Sequence, residues 1–126
     1  MPGHDVLVVE DDASLNELVG AYVELAGFEY RKALDGESAV REAQQRRPRM
    51  VILDIMLPDI DGFEVCKRLK SQSITWAIPV LMLTALSQEE NRRRGLDCGA
   101  ADYMTKPFDP DKLMEAIRAH ADGQPR

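Results

Sequence analysis

The sequence predicts a doubly wound α/β fold, a five-stranded parallel sheet with helices on both faces. Three observations predict it. Five short apolar segments alternate with amphipathic helical patterns. A chain of 126 residues leaves room only for short connections between them. Near-continuous apolar strands such as Val51 to Leu53 imply a sheet covered on both sides.

The strand segments are Asp5 to Val9, Glu29 to Leu34, Met50 to Leu53, Ile78 to Leu83 and Ala101 to Thr105, the last the least apolar. Leu15, Leu18, Val19, Tyr22 and Val23 recur at helical spacing and form the apolar face of a first helix ending near Ala26 and Gly27. A second helix, about Gly36 to Arg47, buries Ala39, Val40 and Ala43. The third begins after Asp61, which caps it while Glu64 reaches back as in a capping box, and turns Phe63, Cys66 and Leu69 inward. Between Ser87 and Cys98 only Leu96 and Cys98 qualify for the core. This fourth helix is therefore either a mobile element or a stable peripheral one. A last helix follows Pro110 and buries Leu113, Ala116 and Ile117. Pro79 falls in the first turn of its strand, where a missing donor is tolerated. Residues 1–122 make one domain; 123–126 are the start of a linker or a frayed end.

Composition narrows the function. The formal charge of −6 argues against direct binding of nucleic acid by this segment, since duplex affinity comes largely from Lys and Arg on phosphates. The arginines at 46, 47 and 49 and at 92 to 94 read as solvated helix faces. Apolar runs are far too short to span a bilayer, and no charged leader opens the chain, so a soluble cytoplasmic protein is expected. Cys66 and Cys98 are expected as free thiols. His4 and His120 stand near opposite ends with no evident partner.

The chemistry collects at one edge. In open parallel α/β sheets ligands bind beyond the carboxyl ends of the strands where the strand order reverses, which for the flavodoxin-like order 2-1-3-4-5 lies between strands one and three. Those two ends carry Glu10, Asp11 and Asp12 on one side and Asp54 on the other. Thr84 ends strand four, and Thr105 and Lys106 end strand five. Several carboxylates in one crevice repel by about 1 to 4 kcal/mol per close pair, so a cation must offset them. Hard oxygen ligands on short loops suit Mg²⁺, with Lys106 a point charge opposite. A carboxylate held there is a nucleophile toward phosphorus, and phosphoryl transfer needs mainly positioning and charge stabilisation.

Four pieces, in order and spacing, resemble the receiver family of bacterial response regulators: Val6 to Asp12 (VLVVEDD), Val51 to Gly62 (VILDIMLPDIDG), Val80 to Ala85 (VLMLTA) and Gly99 to Phe108 (GAADYMTKPF). The resemblance covers nearly the whole chain. It implies a phosphorylation-dependent switch in which Asp54 accepts a phosphoryl group from a phosphohistidine of a sensor histidine kinase or a histidine phosphotransfer protein. It further implies Asp11 as a direct Mg²⁺ ligand, Glu10 acting on the metal mostly through water, and the backbone carbonyl of Met56 completing the protein ligands. Thr84 would hydrogen-bond the phosphoryl group, Lys106 would pair with it, and the Lys106–Pro107 bond would be cis. Tyr103 would swing inward when Thr84 moves and alter the face of helix four, strand five and helix five for a downstream effector or fused output domain. Glu10 stands where the family often has an aspartate. Met56 and Leu86 flank the path of an attacking water and, being apolar, would not orient it.

Each residue has a plainer reading beside this one. Asp54 alone is as much a helix-cap acid as a nucleophile, Lys106 a surface lysine, Thr84 a β-branched strand residue and Tyr103 an amphipathic edge residue. Asp12 is expected to cap the first helix, while Asp59 and Asp61 are loop and capping acids. Two rival functions are a hydrolase of the haloacid-dehalogenase type and a phosphate-independent docking domain. The hydrolase would want an acid two residues after its nucleophile, where this chain has Met56. An FMN carrier is a third rival, though Glu10, Asp11 and Asp12 would repel a phosphate lacking metal.

Overall fold

A computed structural model describes residues 4–122. Five strands, β1 (Asp5–Val9), β2 (Glu29–Ala33), β3 (Met50–Leu53), β4 (Val80–Thr84) and β5 (Asp102–Thr105), alternate with α1 (Ala13–Leu25), α2 (Gly36–Gln45), α3 (Gly62–Lys70), α4 (Glu89–Asp97) and α5 (Pro110–Asp122). The sheet is parallel throughout, in the order β2-β1-β3-β4-β5. The segment 123–126, read as linker or frayed end, lies outside the described residues.

Period-two alternation sorts the central strands onto two cores. Leu7, Val9, Val51, Leu53, Val80 and Met82 face one core with α2 and α3, while Val6, Val8, Met50, Ile52, Leu81 and Leu83 face the other with α1 and α5. Both faces of β1, β3 and β4 are thus buried, and their sequences carry no polar alternation.

Several details differ from expectation. Pro79 lies just before β4, where its carbonyl accepts the Val51 amide at 3.0 Å. The second helix stops at Gln45, because Arg46 turns extended to reach Asp5 at 3.1 Å. Arg46 is therefore a structural residue, as is Arg49, whose Nε donates to the Ala121 carbonyl at 3.0 Å. In α1 the buried stripe is Asn16, Val19, Gly20 and Val23, while Leu18 is 48% exposed. The apolar face is wide enough to split: one stripe covers the sheet, and Leu15, Leu18 and Tyr22 line a groove of about 500 Å³ with Pro107, Phe108 and Pro110. In α4 the buried residue is Gly95; Leu96 is exposed and Cys98 half-buried. A Cβ on Gly95 would stand 3.2 Å from the Tyr103 ring, so closeness of packing placed this helix where hydropathy did not.

Capping follows the sequence at both acids it named. Asp12 Oδ1 accepts the Leu15 amide at 3.2 Å and Asp61 Oδ1 the Glu64 amide at 2.9 Å. The Glu64 carboxylate meets Arg68 Nε at 2.9 Å in place of closing the capping box. Asp59 reaches across to α2 and accepts the amides of Gly36 and Glu37, both at 2.8 Å. The histidines do have partners: His4 Nε2 lies 2.8 Å from the Gly27 carbonyl and His120 Nε2 lies 3.4 Å from Asp102 Oδ2. Both cysteines are free thiols.

Candidate functional site

The carboxyl ends of β1, β3, β4 and β5 deliver Glu10, Asp54, Thr84 and Lys106 to one crevice. Each stands one residue beyond its strand or closes it, where the ladder stops and a side chain is free to turn over the sheet edge. Glu10, Asp54 and Thr84 are all buried. Lys106 Nζ lies 2.9 Å from Asp54 Oδ2 and donates also to Glu10 Oε1. The register that brings it there is set by the bond from the Lys106 amide to the Thr84 carbonyl at 2.8 Å. The Lys106–Pro107 peptide bond is cis, as the resemblance implied.

Backbone amides hold the acids from below. Asp54 Oδ1 accepts from the amides of Ile55 at 2.6 Å and Met56 at 3.3 Å, and Glu10 Oε2 from Asp12 at 3.0 Å. Thr84 Oγ1 accepts the Leu86 amide at 3.4 Å. Tyr103 is buried, and its hydroxyl donates to the Leu86 carbonyl at 2.5 Å, which ties the ring to the loop following Thr84. The ring therefore already stands inward in this structure.

Burial alone would push the Asp54 carboxyl upward, but Lys106 and the Thr84 hydroxyl outweigh it and hold the group below the ordinary carboxylate range. For Glu10 burial wins: its carboxyl lies above the ordinary value despite Lys106 and the Asp12 amide, and the neighbouring Asp54 adds to the rise. Burial lowers the Lys106 ammonium, while bonds to Glu10 and Asp54 more than restore it and carry it above the ordinary lysine value. The crevice is a place where an ionised Asp54 and a charged lysine coexist at neutral pH beside a second acid.

Asp11, next in sequence to Glu10, is exposed, and Met56 is 60% exposed. Among the described residues no three carboxylate, imidazole or thiol side chains converge as a ready-made metal cage. Mg²⁺ does not need one, because it takes one or two carboxylates and keeps several waters. Glu10 and Asp54, brought together on the Lys106 ammonium, with Asp11 exposed and next in sequence to Glu10, are residues of the type that donor set uses.

Two residues that hold the site were not singled out as such by the sequence. Gly62 opens α3 directly against the Asp54 strand end: a Cβ there would press on the Asp54 carbonyl and lie 2.7 Å from Ile55 Cα. In the sequence it is only the residue after the capping Asp61, which does not signal this close approach. Asn16 is fully buried, and its amide bonds the Glu10 carbonyl at 3.0 Å. A polar residue inside an amphipathic pattern gives no such signal.

Residues 6–118 match the response regulator receiver domain. The chain is 44% identical over 114 residues to the DNA-binding dual master transcriptional regulator RpaA of Synechocystis, covering 90% of this chain and 47% of that protein. It is 46% identical over 114 residues to the phosphate regulon transcriptional regulatory protein PhoB of Escherichia coli, covering 90% and 50%. The chain thus spans about half the length of the curated relatives it matches. Among solved structures, the receiver domain of the Francisella response regulator 1452 superposes with a TM-score of 0.87 at 32% identity, covering 94% of this chain and 96% of that one. The receiver domain of the sensor histidine kinase PA1611 of Pseudomonas aeruginosa, which has a magnesium ion coordinated in its active site cleft, gives 0.87 at 27% identity, covering 96% and 99%.

Proposed function

The chain belongs to the response regulator receiver domain family, whose members are phosphoryl-accepting switches of two-component signalling, and on that premise we propose that Asp54 is the acceptor. One observation carries the reading: the Lys106 ammonium, 52 residues from Asp54 and 96 from Glu10 in sequence, bonds both carboxylates in one crevice. In the proposed reaction an Asp54 oxygen forms a bond to phosphorus as the P–N bond of a phosphohistidine breaks, its electron pair returning to the imidazole of the donor. Lys106 stays bonded to the crevice as charge moves onto the phosphoryl oxygens, and Thr84 supplies a hydroxyl donor to them. Glu10, Asp11, Asp54 and the Met56 carbonyl would hold Mg²⁺, whose chemistry there is to neutralise the acids and the incoming phosphoryl group.

The donor is a sensor histidine kinase or a histidine phosphotransfer protein. Any donor that brings its histidine to Asp54 must lie over the residues bordering the crevice. There the groove of Leu15, Leu18, Tyr22 and Phe108 runs up to Lys106 and offers an apolar seat for a helix. Thr84 and Tyr103 carry the signal to the α4, β5 and α5 face, which would act on a downstream effector or a fused output domain. Chemistry favours a switch over steady hydrolysis, because the position two beyond Asp54 is the thioether of Met56 and not an acid. We place the protein in the cytoplasm; no helix among the described residues is long and apolar enough to cross a membrane. With a charge of −6, DNA binding is not assigned to this segment.

The test is incubation with acetyl phosphate and Mg²⁺, followed by intact-mass analysis of the parent and Asp54→Asn. A phosphoryl adduct on the parent alone, absent without metal, is expected. An adduct that persists in Asp54→Asn overturns the assignment.

A further inference from the structure

We propose that Asn16 is a positioning residue of this site: its buried carboxamide ties together the ends of β1 and β2 and so fixes the backbone from which the Glu10 carboxylate reaches Lys106 and Asp54. The inference rests on the reading of Glu10 as part of the Mg²⁺ site.

Asn16 lies in the first turn of α1 and is wholly buried. Its Nδ2, with two N–H groups and so one of them shared, donates to the carbonyls of Val8 at 3.1 Å, Glu10 at 3.0 Å and Ala33 at 3.0 Å. The parallel register of β1 and β2 ends at Val9 opposite Ala33, so these oxygens lie where the ladder gives out. Oδ1 accepts the Tyr30 hydroxyl. The carbonyls settle the orientation of the amide, since they can only accept and so demand the nitrogen, which leaves the oxygen to take the Tyr30 hydroxyl proton. Tyr30 is held in turn against Gly20, where a Cβ would lie 2.5 Å from its ring atoms. One side chain thereby joins α1, β1 and β2 directly behind the acid.

Satisfying buried carbonyls is a structural task that any buried amide performs. What links Asn16 to the site is that one of its three acceptors is the carbonyl of Glu10 itself. A glutamate side chain has one more rotatable bond than an aspartate, so the direction of its carboxylate depends on a fixed backbone and on bonds at its far end. The far end is held by Lys106 and the Asp12 amide, and the near end by Asn16 and the Glu10 amide, which donates to Ala33 at 3.2 Å. Groups that orient a ligand from behind set metal affinity without touching the ion.

The experiment titrates Mg²⁺ alone into isotope-labelled parent, Asn16→Ala, Tyr30→Phe, Glu10→Gln and the Asn16→Ala/Glu10→Gln pair, following amide chemical shifts, with urea unfolding of each alongside. Asn16→Ala is expected to raise the Mg²⁺ Kd roughly tenfold, and Tyr30→Phe, which keeps the ring on Gly20, about threefold. In the Glu10→Gln background the Asn16 change should add less than about twofold, because no carboxylate remains to be placed. A purely structural Asn16 lowers the urea midpoint and leaves the Kd of the parent, and that result overturns the proposal. So does a penalty that persists undiminished without the Glu10 carboxylate. Should Asn16→Ala fail to fold, Tyr30→Phe decides: a Kd equal to that of the parent overturns it. A parent that takes up no Mg²⁺ sinks the reading of the site as well, and is told apart from failure of this inference, in which parent and variants bind alike.

Discussion

Lys106 Nζ sits 2.9 Å from Asp54 Oδ2 with both side chains largely out of solvent, and it serves Glu10 at the same time. Removing the ammonium leaves two inward acids facing each other. In metal-free buffer at pH 7, Lys106→Met is expected to cost on the order of 2 kcal/mol, the usual penalty for stranding a buried polar partner. The loss should shrink as pH falls, because Glu10 already binds its proton more tightly than an ordinary glutamate and protonation ends the repulsion. Urea unfolding of parent and variant at pH 7 and pH 5 measures it; a gap that widens toward pH 5 would contradict the pairing.

Cys66 provides a pH dependence away from the site. It is wholly buried on α3, and desolvation pushes its thiol from 9.0 up to about 11. The folded state therefore holds this proton more tightly than the unfolded chain. Its contribution is complete below pH 9 and is lost as pH rises toward 11. Against Cys66→Ala, whose cavity penalty does not titrate, the advantage of the parent should shrink by roughly 2 kcal/mol between pH 9 and pH 11. A difference that stays flat over that range would show the thiol to be solvated.

How far the sequence could be read divides along physical lines. The bounds of β1 and β3 were legible because strands buried on both faces are apolar throughout. The gathering of Glu10, Asp54, Thr84 and Lys106 at one sheet edge was legible because acid, hydroxyl and ammonium at strand ends have few purely structural reasons to gather. Asn16 was not, since a helix pattern records hydropathy and a satisfied buried amide looks like a solvated one. Nor was the burial of Gly95 in place of Leu96, because that depends on the size of the Tyr103 ring opposite. Arg31 illustrates the same limit: it pairs with the buried Asp5 at 2.7 Å across two strands, a partner no local spacing reveals.

Leu18, half exposed on the groove beside Lys106, separates the proposed donor from the chemistry. Covering a leucine is worth about 1.5 to 3 kcal/mol, so Leu18→Glu should lower transfer from a phosphohistidine donor about tenfold or more. Phosphorylation by acetyl phosphate, which needs no docking surface, should be unchanged. Equal losses with both donors would mean that the crevice itself had been disturbed.

Gly95→Ala tests the contact between α4 and Tyr103. Alanine gains about 1 kcal/mol in helix propensity. Its Cβ, however, would meet the Tyr103 ring at 3.2 Å and Met82 Sδ at 3.3 Å, so these neighbours must give by a few tenths of an ångström. The two effects should nearly cancel in stability, while the ring moves outward and weakens its bond to the Leu86 carbonyl. Ring and Leu86 resonances identical to those of the parent would show that α4 does not press on the Tyr103 ring.

The lifetime of the phosphoryl group follows from the residues beside it. Attack of water on an aspartyl phosphate is accelerated when a polar group orients or deprotonates the water. Met56 borders Asp54 with an exposed thioether, and its amide is spent on Asp54 Oδ1. Leu86 has both backbone groups engaged, the amide with Thr84 and the carbonyl with Tyr103, and its side chain is apolar. Neither position offers such a group, so the phosphoryl adduct should persist for minutes or longer in Mg²⁺ buffer. Met56→Asn places a carboxamide on the water's path and should shorten that lifetime, by up to about 100-fold if the amide aligns the water fully. Decay of the parent within seconds, followed by intact mass after removal of donor, would mean that the water is oriented by a group other than these two.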